Sequence, residues 1–164
     1  FILYNPSMLP TTQSTSLQGL SPKDQSLWKD KLCGLACLAS LTWENSNYIL
    51  DSTLEDDGWD EEKWWRHDAL IRFLEHHGYT ARTLSYRIFP SQLRSDLIWH
   101  IFLASLDIPS GSHLVIVSGY DPAKDALTYL DPGWDMISSG EKNISWKWFL
   151  KIWRRYGILI EKKS

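Results

Sequence analysis

The stretch from Leu32 to Leu41, Leu-Cys-Gly-Leu-Ala-Cys-Leu-Ala-Ser-Leu, shows no polar face at helical spacing. A helix that is apolar all round has to be covered on every side, so other elements must pack in layers around it. Its glycine, alanines and serine leave room for those elements to come close to its backbone. The chain has 164 residues, enough for one domain with a substantial core. What can cover this helix follows from the period of the remaining sequence.

Residues 1–24 are rich in Ser, Thr, Pro and Gln and read as an irregular lead-in to a domain over residues 25–164. The acidic run from Glu55 to Glu62 reads as a loop entering a helix from about Glu62 to His77. Leu70, Ile71 and Leu74 fall on one face of that helix, and Gly78 stops it. Beyond it the period shortens. Tyr79 to Ile88, Trp99 to Leu106 and His113 to Tyr120 predict strands. Asp121 to Asp125 is a turn, and Ala126 to Asp131 returns as the next strand. A last helix spans about Ser145 to Arg155, with Trp148, Phe149, Ile152 and Trp153 on its apolar stripe. Gly157 to Ile160 closes as a short strand. Helices first and a mostly antiparallel sheet afterwards make an α+β fold.

Three residues far apart in the chain share one chemistry. Cys33 opens the apolar helix, His113 opens the strongest strand and Asp131 ends the following one. At a helix start, unpaired N–H groups and the dipole favour a thiolate and can also receive an oxyanion. Gly34 beside the cysteine would let a substrate backbone approach. A hairpin turning near Pro122 brings Asp131 almost opposite His113, provided that register or a bulge sets both side chains on one face. Asp131 would then accept the Nδ1–H of His113, leaving Nε2 for the thiol proton of Cys33. Each residue alone has a plainer reading: a packed thiol, and two polar residues serving turns.

The blocks Cys33-Gly34-Leu35-Ala36, Ser112-His113 running to Gly119-Tyr120-Asp121, and Tyr129-Leu130-Asp131-Pro132 resemble the bacteriocin-processing, double-glycine leader peptidases and their papain-like relatives. The resemblance spans roughly residues 25 to 160. It implies a papain-like fold with the nucleophile helix packed on an antiparallel sheet. Cys33 would be the nucleophile, His113 the general base and acid, and Asp131 the orienting carboxylate. The implied reaction cleaves a peptide or amide bond through a thioester, without metal or cofactor, on a peptide or protein substrate. The family's oxyanion glutamine often stands six residues before the cysteine; here that position is Leu27, and Gln25 is the candidate. Ser112 stands where the family often has glycine, with Gly111 adjacent. Trp28 and Trp134 flank the three blocks and are candidates to line a substrate groove. The chain has no Walker-type glycine-rich loop, so no ATP-binding cassette is expected within these residues. Acyl transfer by the same triad, or peptide binding in a cleft that has lost its chemistry, stay open beside hydrolysis.

Other features point away from alternative chemistries. A net charge of −3 argues against a protein built to grip nucleic acid, and no apolar run is long enough to span a membrane. No signal peptide is legible, which makes the cytoplasm the default location, although the chain begins with Phe1, as a trimmed or cut chain would. Cys37, one turn after Cys33, reads as a packed thiol. His67, His76, His77 and His100 do not pair with the cysteines at zinc-ligand spacing. The acidic run offers Trp64 where a calcium loop needs a bidentate glutamate. Asn143-Ile144-Ser145 reads as a helix cap, and the basic residues around Lys147 and Arg154 as a solvated face. Oligomeric state is not legible.

Overall fold

Helix α3 forms at Cys33–Thr42, where the apolar run predicts it, and all but two of its residues are buried. The computed structural model describes residues 12–29, 31–61, 64–85, 90–109, 111–133 and 140–162. Ahead of α3 stand α1 (Gln13–Gln18) and α2 (Pro22–Trp28). After it come α4 (Ser46–Glu55), the short strands β1 (Trp59–Asp60) and β2 (Trp64–Trp65), and α5 (His67–His76). The second half holds β3 (Tyr79–Ser85), α6 (Pro90–Asp96), β4 (Ile101–Ile108), β5 (Gly111–Asp121) and β6 (Ala126–Asp131). It ends with β7 (Gly140–Ser145), α7 (Trp146–Ile152) and β8 (Trp153–Lys162). This is the expected α+β arrangement. No helix among the described residues is long and apolar enough to cross a membrane.

Six strands form one antiparallel sheet in the order β3-β8-β4-β5-β6-β7. Alternate residues serve two cores, as the pleat requires. Leu103, Leu114, Ile116 and Ile158 join the core around α3. Phe102, Val115, Val117 and Leu159 join Leu93 of α6 and Trp146 and Phe149 of α7 in the second. Because β5 is covered on both faces, its residues Leu114 to Val117 are all buried. That two-sided burial is why the sequence there is continuously apolar.

The lead-in is more ordered than its composition suggests. Thr12 caps α1 by accepting the Thr15 N–H at 3.0 Å, and Ser21 caps α2, which has Pro22 in its first turn. Short helices capped by Ser and Thr have the same composition as an irregular segment. Leu20 and Trp28 anchor these helices in the α3 core. Residues 1–11 lie outside the described residues.

Three other expectations change. Helix α5 begins at His67 rather than Glu62, because Trp64–Trp65 pair with β1 and the Arg66 N–H bonds the Gly58 carbonyl at 2.8 Å. The last helix stops at Ile152, and the chain passes directly into a longer β8 that includes Arg154 and Arg155. Trp148 lies off the buried stripe, exposed beneath the Lys151 ammonium. Ser145 is its cap, accepting the Trp148 N–H at 3.3 Å. Helices α4 and α6 and strand β7 had no legible pattern: α4 is a short amphipathic helix, and β7 is a polar edge strand.

Candidate active site

The start of α3 is held from outside by one indole. Trp65 donates its Nε1–H to the Lys31 carbonyl at 2.8 Å, just before the helix. Its ring lies so close to Gly34 that an added Cβ would sit 2.6 Å from Cδ1. Gly34 is therefore not free for a substrate backbone, as the sequence suggests; its missing side chain makes room for Trp65. Trp28 stacks on Trp65 at 5.5 Å between centroids and meets Trp59 edge-on at 5.2 Å. At 5 % exposure Trp28 is a core residue and not a groove wall. Trp134 lies outside the described residues.

Cys33 is the first residue of α3, and the N-cap position, Leu32, contributes no side-chain hydrogen bond. Among the described residues no side chain caps the N–H groups of this first turn, the end of a helix where backbone donors have no intrahelical partner. Cys33 is 9 % exposed, whereas Cys37 is fully covered. The Cys37 thiol donates to the Leu114 carbonyl at 3.5 Å, and burial, with Cys33 and Asp131 adding to it, pushes its pKa well up. Cys37 is the inert packed thiol that the sequence suggests.

A one-residue bulge brings the histidine and the aspartate together. Nearest the turn, Asp121 pairs with Ala126 and Gly119 with Thr128; past Ser118 the register moves by one, and Ile116 pairs with Leu130. Had the turn's register continued, Asp131 would oppose Ile116, on the wrong side of the strand for His113. In the shifted register it falls across from Val115, two residues from His113 and on the same side. His113 and Asp131 meet at 2.8 Å between Nε2 and Oδ1. The nitrogen facing the carboxylate is therefore Nε2, the reverse of the sequence expectation, and Nδ1 is left for the thiol.

Burial alone would lower the His113 pKa. Hydrogen bonds to Asp131 and Cys33, and the electrostatic pull of both, outweigh burial and raise it to about 9. The imidazole is then protonated at neutral pH. Asp131 is held below the ordinary carboxylate range: burial opposes this, but hydrogen bonds from His113 and Lys142 prevail. Lys142 lies 2.8 Å from the second carboxylate oxygen, Oδ2. Sequence reasoning missed Lys142 because β7 has no apolar alternation strong enough to mark a strand, and missed Trp65 because it was placed in a helix.

Gln25 sits on α2 and donates its side-chain amide to the Leu20 carbonyl at 2.8 Å. A cleft of about 750 Å³, lined by neighbours of the three candidate residues rather than by the three themselves, opens between the start of α5 and the β4–β5 turn. Trp65 and His67 form one wall; Asp107, Ser112 and Arg154 form the other. Burial lowers the His67 pKa, so this wall presents a neutral ring.

No family model matches the sequence, and no curated protein is similar to it. Solved structures are. The peptidase domain of Streptococcus ComA, a bifunctional ABC transporter involved in quorum sensing, superposes with a TM-score of 0.60 at 16 % identity, over 82 % of this chain and 93 % of that one. A double-glycine motif protease from an AMS/PCAT transporter, solved with its leader peptide, gives 0.56 at 15 %, over 80 % and 84 %. The N-terminal C39-like peptidase domain of a toxin-secretion ATP-binding protein from Vibrio parahaemolyticus gives 0.51 at 13 %, over 80 % and 97 %. Over about four-fifths of its length the chain thus has the papain-like fold of the double-glycine peptidase domains.

Proposed function

We propose that this protein is a cysteine peptidase that cleaves a peptide bond through a thioester intermediate. The observation that carries the reading is His113, bonded through Nε2 to Asp131 at 2.8 Å and with its pKa raised by Asp131 and by the Cys33 thiol at the start of α3. A protonated imidazole there leaves the Cys33 sulfur as the nucleophile. Sulfur attacks the carbonyl carbon, a C–S bond forms, and the oxygen becomes an oxyanion facing the N–H groups of the first turn of α3. Gln25 adds a second donor if its amide leaves the Leu20 carbonyl. Collapse breaks the C–N bond, and His113 gives its Nδ1 proton to the departing amine. The neutral ring then takes a proton from water, hydroxide adds to the thioester, and the C–S bond breaks. A carboxylic acid leaves, and the sulfur and the protonated ring are restored. Asp131 keeps the ring oriented and stabilises its charge throughout.

By likeness to the neighbour solved with its leader peptide, the first substrates to offer are peptides carrying two glycines before the cleaved bond. The test is hydrolysis of such peptides, followed by mass spectrometry, with Cys33→Ala as control. Cleavage by the parent and none by the variant supports the reading; equal cleavage by both overturns it. Adding a primary amine separates hydrolysis from acyl transfer, since a transferase would yield the amide in place of the acid.

A further inference from the structure

We propose that Lys142 is a positioning residue, pinning the Asp131 carboxylate so that its other oxygen aims at His113; this rests on the peptidase reading above. Asp131 uses its two oxygens on two different partners, Oδ1 on His113 and Oδ2 on Lys142, each at 2.8 Å. A carboxylate held at one oxygen can swing about its Cβ–Cγ bond; held at both, its plane is fixed. Strand pairing explains the reach. Lys142 stands across from Tyr129, while Asp131 stands across from Gly140, so the ammonium spans the diagonal on one face. Gly140 has no side chain to block that diagonal. The Lys142 side chain is 38 % exposed and that of Asp131 16 %, so the pair is anchored at its buried end.

The same contact sets the charge seen by the imidazole. Among the described residues, the other titratable groups coupled to Asp131 or to His113 are Cys33 and Cys37 on α3 and the Tyr129 phenol on β6. Of the two described cations acting on Asp131, His113 and Lys142, Lys142 is the one that carries no proton in the proposed reaction. It offsets part of the carboxylate's pull on His113, whose proton must still leave for the amine. Without it, the ring would hold that proton more tightly and aim it less well.

The test compares the parent with Lys142→Met and Lys142→Arg by NMR titration of the His113 ring, and by the pH dependence of kcat and KM on the cleaved peptide. In Lys142→Met the His113 midpoint is expected to rise by about half to one pH unit, as for loss of a nearby half-screened charge. Its kcat is expected to fall by roughly tenfold with little change in KM, as for a group that acts on the transition state. Lys142→Arg keeps charge and N–H donors and is expected to restore most of both. A folded Lys142→Met protein with the parent's His113 midpoint overturns the proposal, whatever its activity. If no peptide is cleaved by any variant but the midpoint shifts, the peptidase reading fails and the positioning role stands.

Discussion

Cys33 and Cys37 lie one helical turn apart on α3, yet their surroundings are opposite. The first stands where the helix begins, beside an imidazole. The second is sealed inside the sheet-facing side, spends its S–H on the Leu114 carbonyl and has its pKa pushed up by burial. The same functional group is therefore set for chemistry at one position and for packing at the next. What separates them is solvent access and a proton partner, not residue type.

Substitution should break that contrast most sharply. Cys33→Ala is expected to lower kcat by at least roughly 10³-fold, whereas Cys37→Ala should keep it within a few-fold, read as steady-state peptide hydrolysis. Loss of the ring's orientation comes next: Asp131→Asn is expected to cost about 10²-fold in kcat/KM, since the amide can turn its NH₂ toward Nε2. Labelling sharpens the comparison without a substrate. Iodoacetamide at pH 7 should modify Cys33 alone in the folded protein, and His113→Ala should slow it by roughly tenfold; mapped peptides showing both cysteines labelled equally would remove the distinction.

Two smaller effects concern stability. The folded His113 pKa, about 9, lies above its ordinary value of 6.5, so the charged ring stabilises the fold. That contribution is complete below the unfolded value and disappears as pH rises through the folded one. Urea unfolding of the parent against His113→Asn should therefore show the parent's relative stability declining between pH 6.5 and 9. Gly34→Ala presses a methyl against the Trp65 ring and is expected to cost about 1–3 kcal/mol, measured as a lower urea midpoint, with slower Cys33 labelling as the start of α3 shifts.

Much of the site was legible from the chain because its signals are local. A ten-residue apolar run can only be a covered helix, and a cysteine at its first position gains the free N–H groups of that end whatever lies around it. Strong β-formers from His113 onward, followed by a turn and a second run, make a hairpin in almost any context. The parts that were not legible depend on partners distant in the chain. Nothing in residues 116–131 announces that the register slips at Ser118, yet that slip decides which side of the strand Asp131 occupies. Lys142 is an ordinary lysine until β7 is laid beside β6. Gly34 reads as open space for a substrate until Trp65, more than 30 residues away, fills it.

The sequence by itself determined the layered α+β plan, the buried helix that opens with a thiol and the hairpin whose strands carry an imidazole and a carboxylate. These follow from hydrophobic period and turn chemistry, which act over a few residues. Tertiary structure alone decided which imidazole nitrogen faces the carboxylate, which indole closes on the helix start and which ammonium fixes the far oxygen. Those outcomes depend on register and on contacts between distant segments, where a shift of one residue reverses the direction of every side chain.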